Sequence, residues 1–210
     1  PVYRYDIETL RHLSGEEFIA FLTQEFPALQ TIIVGYDFYF GKERGWNSED
    51  IHLLFHGETV IVPAVTIEGE AVHSRKIRAF LLKGNFEKVE KFLGRRYSLC
   101  GHVIQGQGIG RNHLVATLNI NTGNYLLPPE GIYVTRTLIH QEWYKSVTFL
   151  GHRLSTDGNF AVETHILEEI PKNCDTLCIE FYKKIRSNSY FETLEALKKQ
   201  IQSDIDYAID

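Results

Sequence analysis

The residues best suited to phosphate and metal chemistry fall in two segments of the second half of the chain. They are Gly106, Gly108, Gly110, Arg111, Thr117, Asn119 and Glu163. Glycines let backbone N–H groups approach phosphate oxygens closely. Alternate residues of a strand share one face, so Thr117 and Asn119 are expected to point the same way. With the carboxylate of Glu163 in a later β-type run, this set indicates phosphoryl transfer.

Six β-type runs surround these residues and predict the framework that positions them. The runs cover residues 97–104, 114–120, 131–139, 143–150, 159–167 and 176–182. Gly, Pro, Asn and Asp lie between them, and short strands separated by such turns are typical of an antiparallel barrel or sandwich. A helical pattern over 189–208 follows, with Ser189 and Glu192 as its expected capping box.

The first 95 residues show a different, α/β pattern. Helix starts are predicted at Ser14, Ser74 and Asn85, and short strands at 31–34 and 60–62. Two strands are too few to form a complete doubly wound domain. The sequence therefore predicts a partial α/β domain over 1–95 and a second domain over 96–210.

Composition excludes several functional classes. Of the 210 residues, 43% are hydrophobic and 23% are charged, which predicts a folded core. A net charge of −5 argues against general binding to nucleic acids or membrane surfaces. No apolar run approaches the roughly 18 residues that span a bilayer, and we find no signal peptide. The expected partners are small molecules, and the sequence does not indicate an oligomeric state.

The cysteines and the first residue give two further expectations. Cys100, Cys174 and Cys178 form no Cys-x-x-Cys pair. An odd number of cysteines without metal-ligand spacing predicts reduced thiols and a cytoplasmic protein. The chain begins with Pro1 and contains no Met, so we expect a trimmed or incompletely represented product.

Several motifs resemble the bacterial bifunctional riboflavin kinase/FMN adenylyltransferase (FAD synthetase) family, in the family's order and spacing. In the first half they lie at residues 34–42, 72–78 and 93–97. In the second half they lie at 110–119, 127–133, 162–165 and 181–186. The resemblance extends over essentially the whole chain, and its specificity comes from the ordered set because each motif alone is weak.

The chain also departs from the family pattern. The amino-terminal His-containing ATP motif of the adenylyltransferase is absent. His73 and Lys76 replace a Ser and an Arg of that domain, and Lys cannot make the bidentate phosphate contact of Arg. In the kinase motif, residues 114–116 are Leu-Val-Ala where the family has Gly-Phe-Pro, whereas Thr117 and Asn119 are retained.

The resemblance implies a fold and a set of roles. It implies the carboxy-terminal half of a Rossmann-like nucleotidyltransferase domain, followed by a six-stranded antiparallel riboflavin kinase-like barrel with a carboxy-terminal helix. The implied activity is phosphorylation of riboflavin to FMN by ATP with Mg²⁺. The implied roles are Mg²⁺ and ATP binding by Thr117 and Asn119, proton abstraction by Glu163, ATP binding by Gly106, Gly108, Gly110 and Arg111, and flavin binding by Arg186.

Each residue also has an ordinary interpretation. Thr117 and Asn119 could be polar residues on a half-exposed strand, and Glu163 a solvent-facing glutamate. Arg186 could be a solvated strand end. No chemistry is assigned to His152 or Arg153, which lie where the family's flavin loop runs.

Two other functions stay open at this point. One is complete FAD synthesis, if a further amino-terminal segment exists in the natural protein. The other is a degenerate flavin- or nucleotide-binding protein without turnover, which the altered residues 114–116 suggest.

Overall fold

A computed structural model of the chain describes residues 2–104, 117–155, 157–169 and 174–209. The chain divides into two compact units, Pro1–Ala71 and Val72–Asp210. This division precedes the predicted domain boundary because two helices after Ala71 pack onto the core of the second unit. The extents of the domains, 1–95 and 96–210, stay a prediction.

The first unit is a small α/β assembly. Its elements are α1 (Ile7–Leu10), α2 (Gly15–Glu25), β1 (Thr31–Gly35), β2 (Tyr39–Phe40), β3 (Trp46–Asn47), α3 (Asp50–Leu54), β4 (Glu58–Val62), β5 (Thr66–Ile67) and β6 (Glu70–Ala71). The predicted strands form β1 and β4, which pair in parallel. The predicted helix start at Ser14 is confirmed and forms a capping box, because Ser14 and Glu17 each accept a hydrogen bond from the other's backbone N–H.

The described part of the second unit is a closed barrel with three helices. Its elements are α4 (Ser74–Leu82), α5 (Phe86–Leu93), β7 (Ser98–Ile104), β8 (Leu118–Asn121), β9 (Gly131–Ile139), β10 (Glu142–His152), β11 (Phe160–Ile166), β12 (Thr176–Arg186) and α6 (Leu194–Ile209). The strand order around the barrel is β10-β11-β8-β7-β12-β9. All neighbouring strands are antiparallel, which confirms the predicted six-stranded barrel.

The terminal helix is present but begins later than predicted. Its first turn is capped by Thr193, whose side chain accepts a hydrogen bond from the N–H of Ala196 at 3.2 Å. The expected cap at Ser189 is therefore wrong, because a second Ser/Thr lies nearer the first apolar turn. Within the described ranges, no helix combines the length and apolar composition needed to cross a bilayer.

The barrel interior combines an apolar core with a ring of buried hydroxyls. Apolar residues from the barrel strands and from α4 and α5 form one continuous cluster that includes Leu81, Phe86, Leu99 and Ile179. The hydroxyl ring consists of Thr135, Thr137, Ser146, Thr148 and Thr164, with O···O distances of 2.8, 2.9, 3.1, 3.0 and 2.8 Å around it. Because every member bonds two others, these buried polar groups are satisfied within the protein.

The structure corrects the prediction for the cysteines. Cys100 in β7 lies directly opposite Cys178 in β12, and their sulfur atoms form a disulfide bond. Cys174 is the free thiol among the described residues. The prediction of three reduced thiols is therefore wrong, because two strands far apart in sequence are neighbours in the barrel and place the two side chains opposite each other.

Candidate active site

Two neighbouring strands bring together the three residues that were predicted to carry the chemistry. Asn119 in β8 lies directly opposite Glu163 in β11. Thr117 immediately precedes β8, and its Oγ1 donates a hydrogen bond to Oε2 of Glu163 at 3.4 Å. The structure thus assembles a hydroxyl, an amide and a carboxylate at one place, while their individual roles stay predictions.

Strand alternation explains why these side chains share one side of the sheet. Leu118 and Ile120 pack with the barrel core, so Thr117 and Asn119 point the opposite way. On β11, Val162 and Thr164 are buried on the barrel side, and Glu163 between them is not. The cluster is nevertheless sheltered, because Asn119 is only 7% exposed.

Arg153, to which the sequence analysis assigned no role, completes the cluster. It follows β10 directly, and its side chain reaches across β11 to β8. Its Nε donates to Oε1 of Glu163 at 2.5 Å, and its Nη2 donates to Oδ1 of Asn119 at 2.7 Å. The guanidinium therefore bridges the candidate base and the candidate metal ligand in a charge-assisted network.

The hairpin between β10 and β11 fixes the position of Arg153. The backbone N–H of Arg153 donates to the carbonyl of Asn159 at 3.0 Å, and the N–H of Gly158 donates to the carbonyl of Arg153 at 3.1 Å. Asp157, within this hairpin, accepts a hydrogen bond from Nη1 of Arg153 at 3.3 Å. Both the backbone and the side chain of Arg153 are thus held by its own hairpin.

Glu130 anchors the end of β10 from a different segment. Its carboxylate accepts from the backbone N–H of His152 at 3.0 Å, and its Oε1 lies 2.8 Å from Nδ1 of the same histidine. The backbone hydrogen bond from His152 lowers the pKa of the Glu130 carboxyl. A Cβ on Gly151, whose φ is +146°, would lie 2.6 Å from Oε2 of Glu130. This close approach requires glycine immediately before His152 and Arg153.

The glycine-rich segment predicted to bind ATP comes shortly before Thr117 in the chain. Gly106, Gly108, Gly110 and Arg111 lie outside the described residues, as do residues 114–116. The binding of ATP phosphates by this segment stays a prediction.

Arg186, the predicted flavin-binding residue, has a clear structural partner. It ends β12, and its Nε and Nη2 donate to the two carboxylate oxygens of Asp204 in α6 at 2.9 and 2.8 Å. Asp204 is 3% exposed. The ion pair attaches the terminal helix to the barrel, and none of its contacts involves Thr117, Asn119 or Glu163. A role in flavin binding stays a prediction.

We expect Asp204→Asn to destabilise the protein by about 2 kcal/mol, because it leaves Arg186 facing a buried neutral amide. Urea unfolding followed by circular dichroism measures this change. The matched control is Asp206→Asn on the exposed side of the same helix, for which we expect a change below about 0.5 kcal/mol. Equal stabilities for the two variants would contradict a structural role for the pair.

The cluster has the donor chemistry that Mg²⁺ prefers. A hydroxyl, an amide oxygen and a carboxylate are hard oxygen ligands, and Mg²⁺ in nucleotide sites takes few protein ligands together with phosphates and waters. Among the described residues, no group of three or more His, Cys, Asp and Glu side chains is placed to hold a metal. A hydroxyl and an amide oxygen beside a carboxylate fit an ion that is completed by substrate phosphates.

Comparisons with known proteins identify the family of the chain. The family model for riboflavin kinase (flavokinase) matches residues 93–210. A bifunctional riboflavin kinase/FMN adenylyltransferase from Pseudomonas fluorescens is 30% identical over 94% of this chain and 66% of its own length. The corresponding Bacillus subtilis protein is 27% identical over 86% of this chain and 60% of its own length. The chain thus spans somewhat less than two thirds of these two relatives.

A solved structure shares the fold. A crystal structure from Streptococcus pneumoniae, described as a macrolide-efflux protein, has a TM-score of 0.81 and 27% sequence identity. The match covers 95% of this chain and 66% of the Streptococcus pneumoniae chain. Because the riboflavin kinase model matches more than half of the sequence, and the barrel that it covers carries the predicted cluster, the chain belongs to the riboflavin kinase family.

Proposed function

We propose that this chain transfers the γ-phosphate of ATP to the terminal hydroxyl of the ribityl chain of riboflavin, giving FMN and ADP. The observation that carries the proposal is the juxtaposition of Asn119 and Glu163 on adjacent strands with Thr117 just before the first of them. Such a reaction requires little covalent chemistry from the protein, so positioning and electrostatics account for most of the catalysis.

Glu163 is suited to act as the general base. A primary alcohol is a poor nucleophile, and a carboxylate placed beside it can accept its proton as the O–P bond forms. Arg153 and Thr117 each bond a different oxygen of the carboxylate, which orients the group. The side chain of Glu163 is 21% exposed, so a substrate hydroxyl has access to it.

Thr117 and Asn119 are suited to bind a Mg·ATP complex. Bound Mg²⁺ would neutralise negative charge on the phosphates during transfer. The oxygen atoms that would face the ion are Oγ1 of Thr117 and Oδ1 of Asn119. The second of these accepts a hydrogen bond from Arg153, so this arginine competes directly for a candidate metal ligand.

A turnover assay tests the proposal. We expect incubation of the purified chain with riboflavin, ATP and Mg²⁺ to yield FMN and ADP in equal amounts, measured by chromatography. Omission of Mg²⁺ is the control. Flavin binding without FMN formation would favour a degenerate binding protein instead.

We propose FMN adenylyltransferase activity only for a longer protein that contains this chain together with a further amino-terminal segment. The curated relatives carry both activities in their names, and this chain spans only part of their length. Supplying FMN and ATP to the purified 210-residue chain should give no FAD, because the family's amino-terminal ATP motif is absent from this sequence. Location in the cytoplasm likewise stays a prediction.

A further inference from the structure

We propose that Arg153 is a positioning residue that keeps the carboxylate of Glu163 from becoming a ligand of the metal, so that it stays available as a base. The inference rests on the proposed kinase function and deepens it. Its starting point is the bridging of Asn119 and Glu163 by one guanidinium.

The cluster presents a conflict between two tasks. A carboxylate is a stronger ligand for Mg²⁺ than a hydroxyl or an amide, because it carries a full negative charge. Glu163 lies directly opposite Asn119 and 3.4 Å from Thr117. A divalent ion held by Thr117 and Asn119 would therefore attract the carboxylate of Glu163.

Coordination would remove the function assigned to Glu163. A carboxylate whose lone pair is donated to a metal ion has lost much of its basicity. Proton abstraction from the ribityl hydroxyl requires a lone pair that is free and directed at the substrate. The site must therefore retain the carboxylate beside the metal without letting it bind the metal.

The contacts of Arg153 meet this requirement. Its 2.5 Å hydrogen bond uses one lone pair of Oε1 of Glu163 and leaves others free, and its positive charge weakens the attraction between the carboxylate and a cation. Two further contacts, to Asn119 and Asp157, prevent the guanidinium from following Glu163 towards an ion. The side chain of Arg153 is only 18% exposed, so solvent screens the pair weakly. Lysine could not reproduce three contacts made in different directions.

Divalent-ion binding to the nucleotide-free protein tests this inference independently of turnover. The probe is Mn²⁺, followed by electron paramagnetic resonance, with Mg²⁺ as competitor. We expect Arg153→Gln to bind Mn²⁺ at least about tenfold more tightly than the unaltered chain, because a nearby positive charge is removed and the carboxylate is released. Unchanged or weaker binding by the folded variant would overturn the inference.

A double variant separates this effect from a simple loss of charge. Arg153→Gln combined with Glu163→Gln should return Mn²⁺ affinity to within about twofold of the unaltered chain, because the carboxylate that captures the ion is gone. The matched control Arg136→Gln removes the same charge from an exposed position on β9 and should leave affinity unchanged. Equal tightening by Arg136→Gln would also overturn the inference.

Two further results complete the design. If Arg153→Gln does not fold, Arg153→Lys takes its place. We expect Arg153→Lys to bind Mn²⁺ more tightly than the unaltered chain, by a smaller factor, and unchanged Mn²⁺ affinity would overturn the inference. Tighter Mn²⁺ binding by Arg153→Gln would support the inference that Arg153 keeps the Glu163 carboxylate from binding the metal, even if the unaltered chain makes no FMN. The lack of FMN would separately refute the proposed kinase activity.

Discussion

Glu163→Gln is expected to lower kcat for FMN formation by about 10²–10⁴-fold, the usual cost of removing a general base. Glutamine preserves the size of the side chain, and its carbonyl oxygen can still accept the hydrogen bond from Arg153. The substitution therefore removes the proton acceptor and leaves the surrounding cluster largely in place. Riboflavin and Mg·ATP affinities should change little, because the base acts mainly in the transition state.

Steady-state kinetics with both substrates varied measure this effect, and a thermal melt confirms that the variant is folded. The matched control is Glu168→Gln, the same chemical change at an exposed position just after β11. Its kcat should equal that of the unaltered chain. A Glu163→Gln variant with near-normal kcat would make Glu163 a solvent-facing glutamate and remove the catalytic assignment.

The barrel was predictable because its strands follow simple rules. Strands such as β11 and β12 largely alternate more and less buried side chains, and the β-type runs are bounded by turn residues. The sequence therefore predicted β9 at its observed bounds of Gly131–Ile139. The same alternation placed Thr117 and Asn119 on one face. Their closeness to Glu163 depends on β8 pairing with β11, which alternation within a single strand does not predict.

Arg153 could not be predicted because its role depends on three strands at once. Its side chain reaches from the end of β10 over β11 to β8, and no short-range pattern describes that path. A signal did exist in the hairpin, where Asp157 and Gly158 form a tight turn beside the arginine. That signal indicates a turn but does not indicate which way the arginine points.

The partner of Arg186 was also not predicted from the sequence. The family resemblance implied a flavin contact, whereas its position at the end of a strand suggested a solvated charge. The structure instead gives it a bidentate bond to Asp204, which lies in a helix near the end of the chain. Asp204 is buried beside Ile205 on the apolar side of α6. A carboxylate at such a position is a usable sign of a buried partner, because charged side chains are rarely buried unless they are paired.

The disulfide depends on the same non-local pairing. Counting cysteines predicted reduced thiols, because spacing along the chain carries no information about β7 lying beside β12. Once the barrel is closed, Cys100 and Cys178 lie opposite each other, next to the fully buried pair of Leu99 and Ile179. A cross-link at this point joins strands from the beginning and the end of the barrel.

Reduction of this disulfide is expected to lower the free energy of unfolding by about 2–4 kcal/mol, since it releases a cross-link that closes a long loop. The two cysteines are 78 residues apart, so the cross-link strongly restricts the unfolded chain. Urea unfolding with and without a phosphine reductant measures the difference. Alkylation in denaturant, followed by mass spectrometry, should modify one thiol before reduction and three after it.

Two variants make the disulfide measurement specific. The double variant Cys100→Ala/Cys178→Ala should unfold at the same urea concentration with and without reductant, and should resemble the reduced form of the unaltered chain. Cys174→Ala is the matched control and should keep the full response to reductant, because Cys174 takes no part in the bond. If three thiols are alkylated without reduction, or if the unaltered chain does not respond to reductant, the cross-link does not form in solution. The barrel would then owe its stability to its hydrogen bonds and apolar core alone.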